Sequence, residues 1–336
     1  MKPSLYESEH PVSPSPSTIP PTSTPDRVPA PLVQQRLPWL HAFWKFSRPH
    51  TIIGTSLSVL GLYLIATGPD LVALSSTLPA LLLALLACLS GNIYIVGLNQ
   101  LEDVAIDRIN KPTLPLASGE FSQRMGLGIV TIAGILALVI SLSQGWFLFA
   151  TVGLSLLIGT AYSLPPIRLK RFPFWASLCI LVVRGAIVNL GLFLHFHQLH
   201  PRFPEVIPPA VWALTLFVLG FTFAIAIFKD IPDMEGDRQY NIATLTLSMG
   251  AASVFNLARG VLTISYLSMI VAGAVGLPTV NSGLLVISHS VALALLWFWS
   301  LRVDVQDQAA IAQFYQFIWK LFFLEYLLFP AACLWG

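Results

Sequence analysis

Apolar runs of about twenty residues recur along most of this chain, each long enough to cross the ~30 Å hydrocarbon layer of a bilayer as a helix. They fall near 50–67, 78–98, 125–143, 146–163, 175–194, 208–228, 249–275, 284–300 and 311–334, so the pattern predicts nine transmembrane helices. The long apolar stretch 125–163 is split by Gln144-Gly145, and its length requires two crossings. The first 38 residues have no apolar period and are rich in Pro, Ser and Thr, which predicts a disordered tail. That tail lacks the apolar core of a signal peptide and has too many acids for a transit peptide. The expected organisation is a tail at 1–38 and one all-α, nine-helix membrane domain at 39–336.

Composition agrees with that class. The 336 residues are 55% hydrophobic and 10% charged, against about a quarter charged in soluble domains. A net charge of +2 gives no signature of nucleic-acid binding, and none is expected. Nothing in the pattern sets an oligomeric state. Cys88, Cys179 and Cys333 stand far apart inside apolar runs, which predicts buried small side chains without disulfide or metal roles.

Lys and Arg set the orientation. Fourteen of the eighteen fall on the side of the N-terminus and the even-to-odd loops, and only Arg202 on the other; Arg184, Arg259 and Lys320 lie within helices. The N-terminus is therefore expected on the cytoplasmic or stromal side and the C-terminus opposite.

The acids are distributed unevenly. Eight of sixteen crowd into two short stretches on the basic side, NQLEDVAIDRINKPTLPLASGE (Asn99 to Glu120) and KDIPDMEGD (Lys229 to Asp237). Asn99, Asp103 and Asp107 are spaced four apart and would line one helix face. Asp230, Asp233 and Asp237 are spaced for a shared face as well. Each cluster closes an apolar run, where carboxylates are costly and usually functional. Two oxygen-rich clusters at neighbouring helix ends suit Mg2+, which keeps several waters and shares substrate phosphates. Arg48 and Lys170, at helix ends on the same side, are placed to meet phosphate oxygens. Tyr162 ends the fourth helix just before Ser163 and the Pro165-Pro166 break. Arg184, about ten residues into the fifth helix, requires an acid or a phosphate as partner. The HFHQLH segment with His195, His197 and His200 is expected to be an exposed loop on the far side. A secondary transporter, the rival class, would need acids near the bilayer midplane rather than at helix ends.

These motifs resemble those of the UbiA-type intramembrane aromatic prenyltransferases. The likeness runs from about Arg48 to the C-terminus, and the pair of acid motifs together is what makes it specific. Within that superfamily the acid stretches, SRPHT (Ser47 to Thr51) and AYSLPPIRLKR (Ala161 to Arg171) are most similar to homogentisate prenyltransferases of cyanobacteria and plastids. One departure stands out: Leu114 precedes Pro115 where other branches of the superfamily usually carry Arg, which leaves its task to Lys111. The resemblance implies nine helices around a central cavity open to lipid. It implies two Mg2+ ions held by Asn99, Asp103, Asp107, Asp233 and Asp237, joined by Asp230, with Asp103, Asp107, Asp233 and Asp237 as the catalytic set. It implies substrate contacts from Arg48, Lys111, Tyr162 and Lys170, with Arg184 as a further candidate. The implied partners are a prenyl diphosphate, homogentisate and the bilayer of a cyanobacterial or plastid membrane. The implied reaction is prenyl transfer, phytyl favoured, to homogentisate with loss of CO2, as in tocopherol (vitamin E) biosynthesis. A solanesyl or geranylgeranyl donor, and chlorophyllide, a naphthoate or 4-hydroxybenzoate as acceptor, are the alternatives.

Overall fold

The structure, a computed structural model, describes residues 38–69, 71–199, 206–240 and 242–336. Residues 1–37, His200 and Arg202 lie outside that set. The described residues are helical without strands, and nine of the helices are long and apolar enough to cross a membrane. A short helix α1 (Pro38–Phe46) precedes α2 (Pro49–Thr67) and α3 (Leu71–Glu102). Two short helices follow, α4 (Val104–Asn110) and α5 (Pro115–Ser118). Then come the spans α6 (Gln123–Ser143), α7 (Trp146–Ser163), α8 (Pro173–His197) and α9 (Pro209–Phe228). After the short α10 (Met234–Gln239) and α11 (Leu245–Met249), the chain ends in α12 (Ala251–Val275), α13 (Ser282–Ser300) and α14 (Gln308–Leu334). Every expected span is present. The second span ends later than the apolar pattern indicates, because α3 continues through Asn99-Gln100-Leu101-Glu102.

Helix α9 is apolar along its length, and of the nine spans it is the most deeply enclosed. Val211, Leu214, Val218, Phe221 and Ala224 are all fully enclosed. Phe221 packs against Tyr266 of α12 and Phe322 of α14, so one aromatic seam joins three spans. Elsewhere small residues let helices approach, as in other membrane bundles. A Cβ on Gly134 of α6 would come within 2.7 Å of Tyr94 on α3, and one on Gly97 of α3 within 2.6 Å of Val130. Within the bundle His289 Nε2 lies 3.0 Å from Glu325 Oε2, a pair almost without exposed surface that ties α13 to α14. Neither residue stood out in the sequence.

One expectation is overturned. His195 and His197 belong to the last turns of α8, and His195 is fully buried against Phe196 rather than exposed in a loop. The apolar residues around the histidines, Phe193, Leu194 and Phe196, keep the helix going. The cysteines Cys88, Cys179 and Cys333 are free, and all three are wholly or partly buried.

Candidate active site

The first acid cluster straddles a helix break. Asp103 has φ −110° and ψ 15°, between α3 and α4. The hydrogen-bond ladder nevertheless runs on: Asp103 N donates to Asn99 O (3.1 Å), and Asp107 N to Asp103 O (2.8 Å). Asn99, Asp103 and Asp107 thus stay one turn apart along one line, as their spacing predicts. The second cluster is built differently from the expected helix face. Lys229 to Asp233 form consecutive turns, Asp233 starts α10, and only Asp237 lies within a helix, so Asp230 is carried by a turn.

The two clusters face a common cavity of about 470 Å³. Asn99, Asp103, Asp107, Asp230, Asp233 and Asp237 all line it, with Lys45, Arg48, Lys111, Tyr162, Lys170 and Lys229. All the expected site residues except Arg184 therefore meet there. A hydrogen bond locks the two halves together: Gly236 N of α10 donates to Asn110 Oδ1 of α4 (2.9 Å). Asn110 escaped the sequence reading because a polar residue at a helix end looks like any other cap.

Five carboxylates and five cationic side chains share this wall, so most charges are paired across it. Lys170 Nζ donates to Asp103 Oδ2 (2.6 Å) and Arg168 Nη2 to Asp103 Oδ1 (3.2 Å). Asn99 Nδ2 donates to Asp103 Oδ2 (3.0 Å), and Asn99 Oδ1 accepts from Arg48 Nη2 (3.5 Å). Lys111 Nζ donates to Asp233 Oδ2 (2.5 Å). Lys111, left to replace the arginine missing before Pro115, is thus aimed at the second cluster from beside the first. Lys229 Nζ lies 3.6 Å from Asp230 Oδ1 and 3.4 Å from Tyr162 Oη. Arg168 was not among the expected site residues; its place two residues before Lys170, just past the Pro165-Pro166 break, is the sequence signal for it. Arg48 and Arg168 both adopt left-handed backbone, φ 54° and 38°, and the only other non-glycine residue to do so among the described residues is Thr279. Such strain gathers at working sites, where packing over-determines it.

Burial sets the electrostatics. Asp107 and Asp237 keep only 5% and 7% of their surface exposed. Burial pushes the Asp107 carboxyl up to about 6, against the pull of Arg48 and Lys111. Burial, with Asp233 and Asp230 close by, pushes Asp237 up to about 7. Asp230 is raised by burial too, and burial lowers the Lys170 ammonium against the attraction of Asp103.

Is this a place for Mg2+? The buried Asp107 Oδ2 has no hydrogen-bond partner, and a buried carboxylate oxygen without one is costly unless a cation meets it. The donor set is all oxygen, as a hard cation requires. Among the described residues no three His, Cys, Asp or Glu side chains converge on a single ion-sized point. That suits an ion held by one or two carboxylates plus substrate phosphate and water, rather than a closed protein cage.

Below the charged wall lies a second, apolar chamber of about 290 Å³. Arg48, Asn99, Tyr162, Lys229 and Tyr315 line both spaces, so the two adjoin. Its walls include Val59, Ile95, Leu156, Trp319, Phe322 and Tyr326, and Arg184 reaches it from α8. The expected acid or phosphate partner of Arg184 is replaced by aromatic faces: its guanidinium carbon sits 4.7 Å from the Trp319 ring centre and 5.6 Å from that of Phe322.

Comparison with known proteins gives this arrangement its context. Over 298 residues, 88% of this chain and 96% of the relative, the chain is 55% identical to the homogentisate phytyltransferase of Synechocystis sp.. It is 42% identical to the chloroplastic homogentisate phytyltransferase 1 of Arabidopsis thaliana, covering 87% of this chain and 75% of that one. A UbiA homolog from Archaeoglobus fulgidus, bound to GPP and Mg2+, superimposes with a TM-score of 0.60 at 16% identity, over 88% of this chain and all of that one. The UbiA prenyltransferase family matches residues 55–321, and this nine-span chain with its paired acid clusters belongs to it.

Proposed function

We propose that this chain transfers a phytyl group from phytyl diphosphate to the ring of homogentisate, with loss of CO2, in a cyanobacterial or plastid membrane. The observation that carries the reading is the juxtaposition of a charged cavity with carboxylates on one side and cationic groups on the other, opening onto an apolar aromatic chamber. The 55% identity to a relative named for that reaction supports the choice of substrates.

Asn99, Asp103, Asp107, Asp230, Asp233 and Asp237 would hold Mg2+, two ions in our reading, and Mg2+ when bound supplies charge neutralisation for the departing diphosphate. Arg48, Lys111, Lys170 and Tyr162, with Arg168, meet the phosphate oxygens. Three of these cations are already held beside the carboxylates by Asp103 and Asp233, so their positions are set before substrate arrives. The isoprenoid lies in the apolar chamber, which excludes water from the allylic cation left when the C–O bond breaks. Tyr315, Trp319, Phe322 and Tyr326 line that chamber, and aromatic rings stabilise a cation through the negative face of their quadrupoles. The electron-rich dihydroxy ring attacks, and a C–C bond forms. The side-chain carboxylate leaves as CO2, its bonding pair returning to the side-chain carbon. The ring hydrogen displaced by the prenyl group is matched by the one that carbon gains to become methyl. No net proton is released, so no strong base is required.

The basic side, with both acid clusters, faces the cytoplasm or stroma in this reading. The test is mass spectrometry of products from purified protein given homogentisate, phytyl diphosphate and Mg2+, with an EDTA control. A Mg2+-dependent prenylated methylquinol, lighter by CO2 than the simple adduct, is expected. Product that retains the carboxyl, or that forms equally in EDTA, overturns the proposal. Parallel runs with geranylgeranyl and solanesyl diphosphates, and with 4-hydroxybenzoate or chlorophyllide as acceptor, rank the alternatives.

A further inference from the structure

We infer that Arg184 anchors the acceptor: its guanidinium takes the side-chain carboxylate of the hydroxyaryl acid and sets the ring against the allylic carbon. This rests on the reading above that the acceptor is homogentisate.

Three observations converge on it. Arg184 sits within a transmembrane helix, where a charge is expensive unless an anion meets it. Among the described residues it takes part in none of the ion pairs, and its contacts are the faces of Trp319 and Phe322. It is only partly buried although it lies inside the bundle, because its free surface opens on the apolar chamber. Such a cation, unpaired and facing an enclosed space, is a half-built anion site.

The backbone beneath it is shaped for that purpose. Val182–Ile187 form a π-helical turn, a feature that often marks functional positions. Asn189 secures the turn, its side-chain amide donating to the Arg184 and Gly185 carbonyls (3.2 and 2.7 Å) while it accepts from Tyr326 Oη (2.7 Å). Gly185 allows the turn to press on α9, since a Cβ there would lie 2.4 Å from Leu219.

Diphosphate, the other anion of the reaction, is the lesser match. The charged cavity is reached from α8 by Ser177 and Ile180, and Arg184, one turn deeper, lines only the apolar chamber. A planar guanidinium lying over the Trp319 and Phe322 rings suits a carboxylate on an aromatic acid. Once that carboxylate has left as CO2, the quinol has no anion to hold it, and product is released toward lipid.

Calorimetry on the full-length protein in detergent with Mg2+ tests this with three ligands: homogentisate, 2-methylhydroquinone and a thio-substituted phytyl diphosphate. Arg184→Gln is expected to weaken homogentisate binding at least about 30-fold. The methylhydroquinone and the diphosphate analogue should change by less than about twofold. If Arg184→Gln does not fold, Arg184→Lys carries the test, because it keeps the charge and loses the planar fork. There homogentisate binding weakened several-fold, with diphosphate binding intact, is expected. Unchanged homogentisate affinity in the variant that folds, or equal loss for all three ligands, overturns the role of Arg184 alone. Failure of the unsubstituted protein to bind homogentisate while it binds the diphosphate analogue overturns the acceptor reading, and this inference with it.

Discussion

Asp107 and Asp237 are the most enclosed carboxyls of the charged cavity, raised from the ordinary 3.8 to about 6 and about 7. Because the folded value exceeds the unfolded one, the metal-free fold binds these protons more tightly than the unfolded chain does. Their contribution to stability is fully present below about pH 4 and is lost as pH rises through about 6 and 7. Mg2+ requires the ionised form, so its apparent affinity rises across that window. Thermal melts of metal-free protein at pH 5 and pH 8 should therefore show a gap that shrinks in Asp107→Asn and Asp237→Asn. An unaltered gap in both variants would sink the idea. Asp103→Ala and Asp233→Ala should each lower turnover at least about 100-fold while the protein still inserts and folds. A variant that keeps most of its activity would count against carboxylate-held metal. Asp103 is the more revealing of the two, since its loss also leaves Lys170 and Arg168 without their anion.

At the level of elements, the charged cavity depends on two short helices, α4 and α10, which no backbone–backbone hydrogen bond joins among the described residues. Asn110 of α4 caps Gly236 N of α10. A Cβ on Gly236 would come within 2.4 Å of Asn110 Oδ1, so Gly236→Ala must displace the Asn110 amide. Asn110→Ala and Gly236→Ala are expected to raise the Mg2+ concentration needed for half-maximal turnover, with little change in melting temperature. Titration of activity against Mg2+ reads this directly, and an unchanged midpoint refutes it. The buried His289–Glu325 pair makes the opposite prediction, of stability without chemistry. Glu325→Leu alone should destabilise by about 3 kcal/mol by leaving His289 without its partner, and the double variant with His289→Leu should recover most of it. Denaturation in detergent measures both; equal loss in single and double variants would rule out the pairing as the cause.

On the scale of the whole molecule, alternating spans place the two acid clusters, the Arg168–Arg171 turn and the start of α14 at one end of the bundle. The α6–α7 and α12–α13 connections lie at the other. From the excess of Lys and Arg at the acid end we propose that it faces the cytoplasm or stroma. The prediction is that Arg108→Cys, at an exposed position of α4, reacts with an impermeant maleimide only from that side, and Thr279→Cys only from the opposite one. The reverse labelling would invert the membrane. The three native cysteines lie in apolar spans and provide the background control.

What was legible from the chain alone follows from physics that needs no neighbours. Span length, the positive-inside bias and the four-residue spacing of Asn99, Asp103 and Asp107 are local properties, and all nine spans stand where hydropathy puts them. The same holds for the two acid motifs, because unpaired carboxylates at the ends of apolar runs are conspicuous wherever they occur. Folding decided what depends on residues far apart in sequence. It set Lys111 against Asp233, Arg168 beside Lys170 on Asp103, and Asn110 across from Gly236. It gave Arg184 aromatic rings instead of an acid, and it turned an apparent histidine loop into the buried end of a helix. In a bilayer, hydropathy specifies that a helix spans but says nothing of which face meets which neighbour. That choice belongs to packing, to small residues and to scarce polar partners, and only the assembled bundle contains it.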